Sequence, residues 1–285
     1  VTGIQCIACV KKRTLILVPN DTLLAQWVSE LFKKTTIGSV MTYTSKGLKV
    51  HTRSGLKETV PDDKYRVMAG LLSTTSQKTS YILITKKDNL DIPEETEKAS
   101  IKVCIRDTLW GMVVIDEVHH APAEKFSILL QALKSNLKIG LTATLAREDN
   151  KVPDIYYLVG PKLFEIDRNR LTAKGYLEET LCIRCSYDLP TAYKEEHDNE
   201  DTMKKRQLIA LNPTKIQTTH YIIKEHQNQQ IIIVGDDVFA LGQFREVLSK
   251  TLDKEIYLIV GSASVEGLRT VENKEYILDQ RSAIN

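Results

Sequence analysis

Uninterrupted aliphatic runs that alternate with helix-period segments constrain the fold of this chain more than any other feature. The strand-sized runs are Thr14–Val18, Tyr81–Thr85, Met112–Ile115, Lys138–Thr142, Leu181–Cys185, Ile231–Val234 and Ile256–Val260. Several carry only Ile, Leu, Val or Met, the composition of strands covered on both faces by helices. Between them, Thr2–Cys9, Thr22–Phe32, Lys125–Leu133, Thr214–His226 and Val238–Lys250 read as helices, with Asp21, Pro122 and Pro213 as start signals. The alternation predicts an α/β fold with mainly parallel sheets. Gly47–Lys64 and Asp88–Lys98 are polar and read as loops or insertions. Tyr187–Arg206 is highly charged and reads as a decoration of the second half.

A length of 285 residues suggests two domains. The boundary is expected near residue 180, after Gly175 and Tyr176, giving domains 1–180 and 181–285. Lys plus Arg number 39 against 37 Asp plus Glu, a net charge of +2, so any nucleic-acid contact has to come from local charge placement. No apolar stretch reaches the ~18 to 20 residues of a membrane-spanning helix, so no membrane partner is expected. Basic residues follow the apolar N-terminal segment instead of preceding it, which argues against a secretory signal. Five cysteines fit a reducing environment. Cys6/Cys9 fall on an expected helix and Cys182/Cys185 on an expected strand, so both C-x-x-C pairs read as buried structural thiols rather than a zinc site.

Met112-Val113-Val114-Ile115-Asp116-Glu117-Val118-His119 is the most informative stretch. Two acids directly after a buried strand stand at the carboxyl edge of a parallel sheet, where open α/β folds bind ligands. Phosphoryl transfer needs carboxylates there, one to hold Mg²⁺ against nucleotide phosphates and one to orient the attacking water. Asp116 is assigned to the metal and Glu117 to the water. Downstream, Gly140-Leu141-Thr142-Ala143-Thr144 ends another strand-sized run. It brings the hydroxyls of Thr142 and Thr144 to the same edge, in reach of His119.

Asp-Glu-Val-His followed by Gly-Leu-Thr-Ala-Thr-Leu resembles motifs II and III of superfamily two helicases, and the surrounding residues resemble the XPB family of DNA helicases. Those residues include Trp110-Gly111, Ala121-Pro122-Ala123, Arg147-Glu148-Asp149, Gly160 to Glu165, Asn212-Pro213 and Ile233 to Leu241. The resemblance runs collinearly from about residue 1 to 265. It implies two tandem RecA-like lobes, both incomplete, with ATP and Mg²⁺ as cofactors and His119, Thr142 and Thr144 coupling nucleotide state to lobe closure. DNA is the implied substrate, with contacts through Asn20 in the motif Ia region, Thr85 in the motif Ib region, and Arg147, Glu148 and Asp149. Gly261 and Ser262 in the second lobe complete that set. Residues 187–212, with Lys204, Lys205 and Arg206, resemble a thumb-like element, shorter and more acidic here. By the same resemblance the parent protein acts in transcription initiation and nucleotide excision repair, in the nucleus, with the subunits of TFIIH as partners.

None of the 13 glycines opens a Gly-x-x-x-x-Gly-Lys-[Ser/Thr] loop, the element whose backbone N–H groups and Lys cradle phosphates. Val1 to Cys6 resembles the helix that follows such a loop, and nothing after Ser262 resembles motifs V and VI. The expectation is therefore a fragment that does not hydrolyse ATP on its own. The alternative from another class is a catalytically dead lobe pair that serves as a DNA- or protein-binding scaffold.

Overall fold

The structure is a computed structural model that describes residues 1–60, 81–90, 101–143, 152–229, 231–252, 256–259 and 276–280. The chain divides into two compact units, Val1–Lys174 and Gly175–Asn285.

In the first unit, a seven-stranded sheet is formed by β1 (Thr14–Val18), β2 (Ser39–Thr44), β3 (Gly47–Thr52), β4 (Gly55–Val60), β5 (Ile82–Lys86), β6 (Met112–Asp116) and β7 (Lys138–Leu141). The order is β4-β3-β2-β5-β1-β6-β7. Pairing is parallel from β2 to β7, whereas β2-β3 and β3-β4 are antiparallel. The period of two along each strand sorts the aliphatic side chains onto opposite faces. Leu15, Leu17, Leu83, Val113 and Ile115 join one buried cluster, with Ile101 and Ile105 of α3 (Ile101–Asp107), Phe126, Leu129 and Leu130 of α4 (Glu124–Ala132) and Ile155 and Leu158 of α5 (Val152–Leu158). Ile16, Val18, Ile82, Ile84, Met112 and Val114 join the other, with Ile4 and Ile7 of α1 (Thr2–Val10) and Leu31 of α2 (Asp21–Lys34). Helices on both faces thus explain why β1 and β6 tolerate no polar residue in their interiors.

Gly47–Lys64 does not begin as a loop: its first part is the β3-β4 hairpin. Positive φ at Gly47 (106°) and Gly55 (122°) permits the turns into these strands. Lys49 and His51 alternate along β3 with Leu48, which is buried, and Val50, which packs on the first cluster, so the polar composition concealed a period-two pattern. Of Asp88–Lys98, only the start is described, within a 3₁₀ turn at Lys87–Leu90.

Leu181–Cys185, expected as a strand, makes no ladder and has no regular structure. Its Leu181 and Ile183 are exposed. The expectation of buried thiols fails with it: Cys9, Cys182 and Cys185 are exposed, and Cys6 is half-buried. Among the described residues, no group of three or more His, Cys, Asp or Glu side chains is arranged to hold a metal ion.

α6 spans Arg168–Ala173 at the end of the first unit. In the second unit, Tyr187–Arg206 is largely helical. It contains α7 (Thr191–Asn199) and the start of α8 (Thr202–Ala210), whose N-terminus is capped by Asp201 accepting from the backbone N–H groups of Met203 and Lys204. α9 (Pro213–Glu225) starts at the Asn212 cap with Pro213 in its first turn. β8 (Ile231–Gly235), β9 (Tyr257–Ile259) and β10 (Tyr276–Gln280) form a parallel sheet in the order β8-β10-β9. Leu241, Phe244 and Leu248 of α10 (Val238–Leu252) pack with Ile223 and Ile256. Ile232 and Val234 are exposed, so the described residues cover β8 on one face, not on the two that its composition suggested. Among the described residues, no helix is long and apolar enough to cross a membrane.

Candidate functional site

Because β1, β5, β6 and β7 are parallel, the residues that follow them share one edge of the first sheet. Register places Asp116 level with Leu141, so Glu117 and Thr142 are the next residues beyond the two strand ends. The backbone turns sharply there. Glu117 lies in the left-handed region (φ 51°, ψ 53°) and leads into a 3₁₀ turn at Val118–His120. A non-glycine residue held in that region costs about 1 to 3 kcal/mol, and such strain concentrates at functional sites.

Glu117, His119 and Thr142 form a compact triangle. His119 Nδ1 lies 2.9 Å from Thr142 Oγ1 and 3.2 Å from Glu117 Oε2. The Thr142 hydroxyl donates to the same Glu117 oxygen at 3.4 Å. The consistent assignment has the Nδ1–H of His119 donating to the threonine, which donates in turn to the carboxylate. Motif II is thereby tied to the segment after β7 by side-chain hydrogen bonds. The His120 ring stacks at a tilt on His119, with centroids 4.2 Å apart.

Asp116 is held on both carboxylate oxygens. Its Oδ1 accepts from the backbone N–H of Glu117 at 3.1 Å, and its Oδ2 accepts from Nε1 of Trp27 at 2.7 Å. In the sequence, Gln26-Trp27 resembles part of the motif Ia region and the Trp27 ring reads as a packing residue; its bond to Asp116, which spans 89 positions, has no signal there. Each carboxylate oxygen has further acceptor capacity. Mg²⁺ typically takes one or two protein carboxylates, with phosphates and waters completing its shell. Asp116 fits that demand without a closed protein cage.

The remaining expected site residues divide three ways. Asn20 is exposed and caps α2, its side chain accepting from the backbone N–H of Leu23 at 2.9 Å. Beside it, Lys86 Nζ pairs with Asp21 at 2.8 Å. Thr85, expected among the DNA contacts, is instead buried, its hydroxyl donating to the backbone oxygen of Tyr43 at 3.0 Å. Its side chain ties β5 to β2 and has no face left for a ligand. Thr144, Arg147, Glu148, Asp149, Gly261 and Ser262 lie outside the described residues.

Comparison with known proteins gives the geometry a family. Residues 1–147, more than half the chain, match the model of the type III restriction enzyme res subunit, and residues 171–274 match that of the ERCC3/RAD25/XPB C-terminal helicase. The general transcription and DNA repair factor IIH helicase/translocase subunit XPB of Encephalitozoon cuniculi is 33% identical over 254 residues, which cover 88% of this chain and 34% of that protein. The XPB subunit of Drosophila melanogaster is 31% identical over 252 residues, covering 87% of this chain and 29% of its own length. The chain thus spans about a third of the length of these relatives. Among solved structures, the Sulfolobus solfataricus SWI2/SNF2 ATPase core in complex with dsDNA aligns over 97% of this chain and 69% of its own, with a TM-score of 0.38 and 17% identity. The two matched models, in collinear order along one chain, establish that it belongs to the XPB family of superfamily two helicases.

Proposed function

We propose that this chain supplies the motif II and motif III machinery of an ATP-dependent DNA helicase or translocase of the XPB type. The observation that carries the reading is the Glu117–His119–Thr142 triangle beside Asp116 at the carboxyl edge of a parallel sheet. In this reading Asp116 holds Mg²⁺, and Glu117 orients the attacking water. His119 and Thr142, with Thr144, transmit the state of the nucleotide site to the rest of the fold. Mg²⁺ supplies charge neutralisation at the phosphates when bound. The two units act as helicase lobes. DNA is gripped mainly through its backbone at the α2 N-terminus near Asn20 and at Gly261 and Ser262, while Arg147, Glu148 and Asp149 form the element that engages and opens it. The kinship with XPB supports roles in transcription initiation and nucleotide excision repair, in the nucleus and alongside TFIIH subunits.

No P-loop pattern occurs within the 285 residues. The test measures DNA-stimulated ATP hydrolysis by this chain and by a version extended at both ends to the length of its relatives. The expected result is no turnover in the first and turnover abolished by Glu117→Gln in the second. Hydrolysis by the 285-residue chain that depends on Glu117 overturns the division of labour. An extended protein that binds DNA and never hydrolyses ATP overturns the enzyme reading in favour of a scaffold.

A further inference from the structure

We propose that Trp27 is a positioning residue for the Asp116 carboxylate: its indole N–H, delivered from α2, fixes the orientation in which Asp116 meets the metal. The inference rests on the assignment of Asp116 to Mg²⁺ made above.

Three observations build the contact. Nε1 of Trp27 lies 2.7 Å from Asp116 Oδ2, within the range of hydrogen bonds to an ionised acceptor. The other oxygen accepts from the Glu117 backbone at 3.1 Å, so the carboxylate is held at both ends. An aspartate carboxyl otherwise rotates in a broad two-fold well, which spreads its lone pairs over many directions.

The ring itself is seated, not simply adjacent. It packs on the cluster formed by α1, α2 and one face of the sheet. Its six-membered edge approaches α1 at Gly3, where a Cβ would stand 2.6 Å from Trp27 Cη2 and 2.7 Å from Leu141 Cδ1. No real Cβ is accommodated at that distance, and an indole has no flexible end to give way. Gly3 stands in the first turn of α1, and its missing Cβ makes room for the ring. The geometry also places the donor on a helix whose first turn is capped by Asn20. The metal site and the expected DNA-facing end of α2 are thus joined through one rigid element.

Groups that orient metal ligands from behind typically change metal affinity by about 10- to 100-fold when removed. Trp27→Phe keeps an aromatic ring against Gly3 and Leu141 and removes only the donor. The expected outcome is Mn²⁺ binding, with Mn²⁺ standing in for Mg²⁺, weakened about tenfold while the melting midpoint moves little. Gly3→Ala is expected to weaken Mn²⁺ binding in the same direction by displacing the ring.

The contact is read directly because the chain has two tryptophans. With ¹⁵N-labelled indoles, the resonance that vanishes in Trp27→Phe is that of Trp27. Trp110, which donates to the backbone oxygen of Ile105 at 2.9 Å in a different cluster, is the internal control. Asp116→Asn is expected to shift the Trp27 resonance and leave Trp110 in place, and Mn²⁺ is expected to broaden Trp27 ahead of Trp110. An unmoved Trp27 resonance in Asp116→Asn overturns the contact. A shift in Asp116→Asn without Mn²⁺ broadening keeps the contact and overturns the metal assignment of Asp116. Equal Mn²⁺ affinity in Trp27→Phe and the parent chain overturns the positioning role.

Discussion

Nδ1 of His119 lies 2.9 Å from the hydroxyl of Thr142, across 23 positions of sequence. That contact joins the turn after β6 to the end of β7, and the same hydroxyl reaches Glu117. A shift of the Glu117 carboxylate is therefore felt by both strand ends. The relay needs one small side chain with a donor and two acceptor positions, which threonine provides and valine does not.

Thr142→Val preserves shape and removes the hydroxyl. In a hydrolysis-competent, extended form of the protein it is expected to lower DNA-stimulated turnover by about 10- to 100-fold, since a hydrogen bond to a charged partner is worth about 1.5 to 3 kcal/mol. Thr142→Ser restores the donor and is expected to recover most of the rate. Steady-state ATPase assays with and without DNA check both, and a serine variant as slow as the valine one removes the relay.

Gly140 supports the same turn through the space it leaves. A Cβ there would stand 2.6 Å from Val118 Cγ2 and 2.9 Å from both Val118 Cβ and Cγ1. Val118 is buried, and its branched side chain has few alternative rotamers. Gly140→Ala is expected to destabilise the chain by about 1 to 3 kcal/mol and to displace the 3₁₀ turn carrying His119. Denaturant unfolding measures the first effect, and the histidine side-chain resonances report the second.

What could be read in advance follows from where each signal resides. The run Met112–Ile115 announces a strand covered on both faces, and Asp116 and Glu117 must then fall at its carboxyl edge. The β2-β3-β4 extension was obscured because Lys49 and His51 interrupt the aliphatic composition while preserving the alternation. Leu181–Cys185 shows the opposite error. Its apolar residues suit a strand, but strand formation depends on a neighbouring partner that local sequence does not display. α7 has no buried residue, so no apolar stripe marked it as a helix. The Trp27–Asp116 bond depends on α2 packing across β1 and β5 so that its indole reaches the end of β6, and nothing local to either residue encodes that approach.

The exposed cysteines make a chemical prediction. Cys9, Cys182 and Cys185 are exposed, whereas Cys6 and Cys104 are half-buried. A thiol reagent applied to the native chain is expected to label the first three in a fast phase and the other two more slowly, with all five reacting after denaturation. Mass spectrometry of the labelled peptides identifies the order. Protection of Cys182 and Cys185 in the native chain would show that another surface covers them.

His51 sets a pH dependence for the first unit. Burial, with a smaller contribution from the Lys49 charge, holds its pKa below the ordinary value of 6.5. Its Nε2 lies 2.8 Å from the hydroxyl of Thr42 on the paired strand, and the neutral ring can accept that proton. The folded state therefore binds a proton less readily than the unfolded one. By linkage, the stability associated with neutral His51 is present above pH 6.5 and is lost progressively as pH falls through the depressed folded value. The melting midpoint is expected to decline on acidification across that window. His51→Gln, which retains an acceptor for Thr42 and does not titrate, is expected to flatten the decline. A pH profile identical in the two proteins would assign the acid sensitivity to other groups.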